Sequence, residues 1–321
     1  MSSAQPSSDR TAAGAPPLLV AVPNVSEGRD REAIDAIGAA YAAGAPAGAP
    51  ARPGDPEPAR VLDVHADPDH HRAVHTLVGA PGALADALVA GAEAAIARID
   101  LRTPRGLHPH VGALDVCPVV FLDGDRRGAA VLEALAVGEA LGGLGLPVFL
   151  YGELGDGRTR ADVRRGGLVE LTARMAAGEL RPDFGPAEPH PTAGAVLVAA
   201  RPPLLAFNVE LAPPATVEHA RAIAAAVREG GRDGLPGVRA IGLGLEHAEG
   251  LAADGAVVAQ VSCNVEDHRA VPLAELVRAI ALHAPVAACE VVGLPPAEAF
   301  VDFPENVLVR RRRTIEDAIA G

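Results

Sequence analysis

Two successive βαββαβ runs within 321 residues predict an α/β (α+β) chain of two tandem ferredoxin-like sandwiches, antiparallel sheets with helices packed on one face. Three observations carry that reading. Short β-branched runs end at Pro, Gly or Asp; Ala-rich stretches with helical spacing separate them; and the length exceeds what one core usually serves. The composition, 49% apolar with 2% aromatic residues, implies cores built from Ala, Val and Leu.

Residues 18–22 read as the first strand, stopping at Pro23-Asn24, and 29–43 as the first helix. A Gly/Ala/Pro loop leads to strands at 59–65 and 73–78, joined by the turn-rich Asp67-Pro68-Asp69. A helix at 82–99 and a strand at 114–122 complete the first unit, extended by a helix near 126–141 and a strand at 148–151. The second half repeats the order. Residues 203–211 read as strand, and 216–229 as helix with Thr216 as N-cap and Glu218 in the first turn. Strands at 238–245 and 257–265, a helix at 273–283 and a strand at 288–292 follow. The expected organisation is a disordered leader over 1–17, units at 18–184 and 185–300, and a tail at 301–321. The Pro/Gly/His-rich stretch 181–194 is the linker, a place where ligands tend to sit.

Charge and residue usage narrow the function. A net charge of −13 argues against a nucleic-acid partner, and Arg310-Arg311-Arg312-Arg313 reads as a solvated tail or an anion contact. All 28 basic residues are Arg, so neither a Schiff-base lysine nor a P-loop lysine is available, whereas guanidinium forks suit carboxylates. Cys117, Cys263 and Cys289 lie far apart and read as buried thiols. The leader lacks the apolar segment of a signal peptide, and no run reaches membrane-helix length, so a soluble cytoplasmic protein is expected.

The chemistry-bearing runs stand in order along the chain. Val22-Pro23-Asn24-Val25-Ser26-Glu27-Gly28 reads locally as a turn capped by Ser26 or Asp30, with Asn24 offering a donor and an acceptor at a strand end. Leu107-His108-Pro109-His110-Val111-Gly112-Ala113-Leu114-Asp115-Val116-Cys117-Pro118 puts imidazoles on a Pro- and Gly-bracketed bend before a buried strand, a good place for proton transfer. Pro182-Asp183-Phe184-Gly185-Pro186 opens a stiff loop, and Ala206-Phe207-Asn208-Val209-Glu210-Leu211, Leu235-Pro236-Gly237-Val238-Arg239-Ala240-Ile241-Gly242, Ala259-Gln260-Val261-Ser262-Cys263-Asn264 and Val291-Val292-Gly293-Leu294 follow.

In this order, over residues 19 to 296, these runs resemble the glutamate formiminotransferases, folate enzymes of histidine breakdown. The resemblance implies that His108 is the catalytic acid/base, and that folate is held by Gly185-Pro186-Ala187-Glu188-Pro189-His190-Pro191-Thr192-Ala193-Gly194 and by Gly237, Val238, Arg239, Ala240, Ile241 and Gly242, in a cleft between the units. It further implies transfer of the formimino group of N-formimino-L-glutamate to N5 of tetrahydrofolate as co-substrate, no metal, and a homodimer. Asn24 is placed to orient substrate, and Arg72 and Arg239 are carboxylate candidates on charge alone. The chain departs from the family where Glu210 replaces a second Asn and Thr192-Ala193 replaces an aromatic. It departs also at His65, Asp67, His70, His71 and His110. A clustered group, His65, His70, His71 and His75, reads as mostly surface histidines and not as a zinc site, which needs three or four converging ligands. The alternatives are a non-catalytic or altered-substrate folate-binding relative, such as a formyl transferase, and a His-rich metal-binding protein.

Overall fold

The computed structural model describes residues 18–44, 57–102, 110–245 and 257–321. The expected leader and His108 lie outside the described residues. β1 (Leu19–Ala21) and β2 (Asn24–Val25) are two halves of one strand, since both pair with the same neighbours. The break falls at Pro23, which has no N–H for the ladder; its carbonyl still accepts the His75 N–H at 3.0 Å. α1 (Arg31–Ala43) is capped by Asp30, whose carboxylate accepts the Ala33 N–H at 3.1 Å. Ser26 is not the cap and donates instead to the Gly112 carbonyl at 2.7 Å.

β3 (Arg60–Asp67), β4 (Arg72–Gly79), α2 (Ala83–Arg98) and β5 (Leu114–Val120) complete the first βαββαβ unit, in the antiparallel order β3-β4-β1/β2-β5. α3 (Arg127–Gly143), β6 (Val148–Leu150), α4 (Arg160–Arg164), α5 (Gly167–Ala176) and β7 (Val196–Arg201) extend it. The second unit is β8 (Leu205–Leu211), α6 (Val217–Val227), β9 (Val238–Leu245), β10 (Val258–Val265), α7 (Leu273–Ala281) and β11 (Val286–Val292), in the order β11-β8-β10-β9. β12 (Val309–Arg310) runs parallel to β11, and α8 (Ile315–Ala320) ends the chain.

Three expectations are corrected. The sheets divide after Arg201 and not at 184/185, because β7 pairs with β5 and β6. Those two pairings are parallel, so the first sheet is mixed. Its β6–β7 end also carries helices on both faces. Val196, Val198 and Ala200 enter the core under α2 and α3, whereas Leu197 and Ala199 pack with Val163, Leu171 and Met175 of α4 and α5. The alternate residues of one strand thus serve two cores, which is why this run shows no polar face.

The arginine run near the C-terminus is exposed at 311–313 yet held in place, and so is not a free tail. Arg310 pairs with buried Glu210, and the Arg312 guanidinium lies 4.6 Å over the Phe300 ring. Arg311 donates to the Val64 carbonyl at 3.3 Å and Arg313 to the Leu62 carbonyl at 3.2 Å, tying the second unit to β3. Ile315 of α8 then packs with Val20, Val78 and Val120 on the open face of the first sheet. All three cysteines are free and buried on β5, β10 and β11, with burial pushing each thiol up to about 12.

Candidate functional site

A cleft of about 560 Å³ lies between the units, a size that suits a drug-sized ligand. The first sheet supplies Asn24, Arg72, Val74, Val116 and, from the β3–β4 turn, His70. α4 and its flanks supply Arg160, Arg164 and Arg165, the end of β7 Arg201, and the second sheet Asn208, Arg239, Ser262, Asn264 and Val292. The register explains the convergence. Asn24 sits opposite both Val74 and Val116, and Asn208 opposite both Ser262 and Glu290, so each group shares one face of its sheet.

The Asn24 amide donates to the Val22 carbonyl at 2.9 Å across the Pro23 break, which leaves its oxygen as an acceptor toward the cleft. Burial pulls Arg72 down to about 10, with Asp67 and Asp115 opposing the shift; it stays a cation, and its Nε has no protein partner. Arg164 pairs with Asp115, which is 2% exposed and also accepts the Val111 N–H at 2.7 Å. Arg160 lies 5.9 Å from the centre of the Tyr151 ring, its pKa lowered by burial. Arg239 stands at the exposed rim, 3.3 Å from both Glu229 and Glu266. Glu290, opposite Asn208 on β11, is raised by burial, and the 3.4 Å bond from Asn208 offsets part of that shift. This is a cationic wall facing amides and hydroxyls, chemistry that grips carboxylates and orients planar amide-like groups.

The structure brings together only part of the expected site. Asn24, Arg72, Arg239, Ala240 and Ile241 line the cleft. Val238 is in the core and Gly237 occupies a left-handed turn at φ 65. Gly242 packs on α6, where a Cβ would stand 2.2 Å from the Arg221 nitrogen, so its smallness serves helix packing. Among Gly185, Pro186, Ala187, Glu188, Pro189, His190, Pro191, Thr192, Ala193 and Gly194, none lines the cleft. This segment instead pairs with Leu101, Gly112 and Ala113. The Leu101 N–H donates to Thr192 at 2.8 Å, the Ala113 N–H to Ala193 at 2.9 Å, and Gly194 bridges Gly112. His65, His70, His71 and His75 are buried and not at the surface, between 0% and 8% exposed, because the hairpin is covered by the Glu27–Arg29 loop, α1 and the C-terminal arginines. Among the described residues no three His, Cys, Asp or Glu side chains converge as a metal site.

Sequence reasoning missed Arg160, Arg164, Arg165 and Arg201. The i,i+4 spacing of Arg160 and Arg164 was a usable signal, and so were the polar alternates Asn208, Ser262 and Asn264 in otherwise apolar strands.

Two βαββαβ units closing on an arginine-walled cleft define a two-subdomain α/β protein. The chain belongs to the formiminotransferase family: residues 18–201 match the formiminotransferase domain, N-terminal subdomain, and 206–318 match the formiminotransferase domain. It is 33% identical over 306 residues to a glutamate formimidoyltransferase of Thermoplasma acidophilum, covering 91% of this chain and 92% of that protein. It is 33% identical over 300 residues to the one of Streptococcus pyogenes serotype M1, covering 91% and 93%. A formimidoyltransferase-cyclodeaminase of Rattus norvegicus is 36% identical over 299 residues, 89% of this chain. The chain spans about half the length of the cyclodeaminase-containing relatives it matches.

Proposed function

We propose that this chain is a glutamate formimidoyltransferase, moving the formimino group of N-formimino-L-glutamate to N5 of tetrahydrofolate. The observation that carries the reading is the arginine-walled cleft between the two units, in a chain matched over most of its length by two glutamate formimidoyltransferases. Both substrates carry carboxylates, and both need an amidine or pterin held in a fixed plane, which the cleft's arginines and amides can do. N5 attacks the amidine carbon, and a tetrahedral intermediate forms. The glutamate nitrogen leaves with a proton, supplied by His108, the residue to which the family resemblance gives this role. Arg72, buried and cationic, takes a substrate carboxylate, and the Asn24 oxygen accepts an amidine N–H. Tetrahydrofolate is a co-substrate, and no step in this chemistry requires a metal. A homodimer, a cytoplasmic setting and a place in histidine breakdown complete the proposal.

The test offers purified protein tetrahydrofolate with N-formimino-L-glutamate or N-formyl-L-glutamate and follows release of glutamate. Release from the formimino donor supports the reading. Release from the formyl donor alone replaces it with formyl transfer, and folate binding without release from either makes the chain a non-catalytic relative.

A further inference from the structure

The turn from β3 to β4 holds a carboxylate–imidazole pair whose imidazole, that of His70, lines the cleft. Asp67 Oδ1 accepts the backbone N–H groups of Asp69 and His70, both at 2.9 Å, while Oδ2 lies 2.5 Å from His70 Nδ1. The turn itself is clamped by the loop after β2. Arg29 donates to the Pro68 carbonyl at 2.9 Å, and His71 Nδ1 lies 3.4 Å from a Glu27 carboxylate oxygen. Gly28 lies flat on the turn, since a Cβ there would stand 2.2 Å from the Asp67 carbonyl and 2.5 Å from the Arg72 nitrogen. His70, 5% exposed, lines the cleft with Asn24 and Arg72. Burial alone would raise the Asp67 carboxyl; its bonds from His70 and the charge of Arg72 outweigh this and hold it at about 2, so it is ionised at any working pH.

A carboxylate on Nδ1 fixes the ring orientation and the tautomer and stabilises the imidazolium, which makes Nε2 a proton acceptor. We propose that His70, positioned by Asp67, is a second proton-transfer group of this cleft, the base that takes the proton from the attacking N5. The inference rests on the formimino-transfer reading. The transfer moves two protons. N5 forms its bond to the amidine carbon and must lose its hydrogen, and the glutamate nitrogen must gain one as its bond to that carbon breaks. His70 starts neutral and ends protonated; His108 starts protonated and ends neutral; exchange with solvent after product release restores both. Asp67 on β3 lies against Nδ1 of His70, His65 on β3 interacts with it electrostatically, and Arg72 on β4 lines the same cleft.

The experiment compares the parent with His70→Ala, His70→Gln and Asp67→Asn for tetrahydrofolate binding, glutamate release and the pH dependence of kcat. The expected result for His70→Ala is a loss of about 10²–10⁴-fold in kcat, the range for a removed acid/base group, with tetrahydrofolate binding within a few-fold of the parent. Added imidazole should recover part of the His70→Ala turnover. Asp67→Asn should move the acidic limb of the kcat profile to lower pH, because a less basic His70 loses its proton more readily. Turnover of both His70 variants near the parent level overturns the proposal and leaves the transfer reading intact. Loss of folate binding together with turnover, and no response to imidazole, also overturns it, in favour of a structural role. A parent that binds folate but releases no glutamate removes the transfer reading and this proposal with it.

Discussion

Asp115 on β5 and Arg164 on α4 form an ion pair in the cleft wall, the carboxylate 3% and the guanidinium-bearing side chain 12% exposed. The same carboxylate accepts the Val111 N–H at 2.7 Å, so one group anchors both the cationic wall and the backbone at Val111. Asp115→Asn keeps an acceptor for Val111 but strands a buried cation. A loss of about 3–5 kcal/mol is expected in denaturant unfolding, as for a broken buried pair. Asp115→Asn with Arg164→Met should cost clearly less than the sum of the two single changes, and strict additivity would show that the pair is not coupled.

The Glu210–Arg310 pair joins strands 100 residues apart, β8 and β12. Glu210 is 1% exposed, its second carboxylate oxygen lacks a protein partner, and the facing Gln260 amide is equally buried. Arg310→Ala should therefore destabilise by several kcal/mol, about 3–5, far beyond the change expected of a tail arginine. Arg312→Ala, which loses only a contact over Phe300, should cost about 1 kcal/mol. Equal effects of the two in thermal unfolding would contradict the pairing.

Element order and the second unit's strand faces were legible because Phe207, Val209, Val261 and Cys263 alternate with Asn208, Glu210, Gln260 and Ser262. β7 was not. The run Val196–Arg201 is apolar on both faces, and nothing local says that its partners are β5 and β6, linked in parallel. The histidines misread for the opposite reason. His65 and His75 are polar by type, and their burial comes from distant pieces, Arg311 of the C-terminal segment for one and Tyr41 of α1 for the other. At the cleft, Asn24 and Arg72 could be picked out by motif and charge, whereas the α4 arginines required knowing that the short helix folds back over the β6–β7 end.

Gly91 of α2 should prove intolerant of any side chain. A Cβ there would lie 2.0 Å from the ring of Tyr41, which is itself fully buried on α1. Neither backbone nor ring has room to give, so Gly91→Ala should lose about 1–3 kcal/mol to overpacking, although alanine is the better helix former. Gly128 of α3 has nothing within 4 Å of its Cβ position, and Gly128→Ala should be neutral or stabilising. Matching melting temperatures for the two variants would refute this account of the α1–α2 contact.

Burial, helped by Arg311 and Arg72, lowers His65 to about 4, and burial lowers His75 to about 4, against an ordinary value of 6.5. Both are neutral in the folded protein near neutrality, so neither contributes pH dependence above about 6.5. Below that value the unfolded chain takes up protons that the folded chain refuses, and stability falls. The loss continues until the folded pKa is reached near 4, at most about 1.4 kcal/mol per pH unit for each histidine. Asp67, held at about 2, adds a further acid-side loss that begins only below its unfolded value near 4, outside this window. Unfolding free energy measured from pH 7 to pH 4.5 should thus decline, and His75→Leu should flatten the slope by roughly half. His75 is the cleaner probe, since it lies 5.1 Å from Tyr41 under α1 and does not line the cleft. An unchanged slope in that variant would mean that His75 takes up its proton in the folded protein as readily as in the unfolded chain.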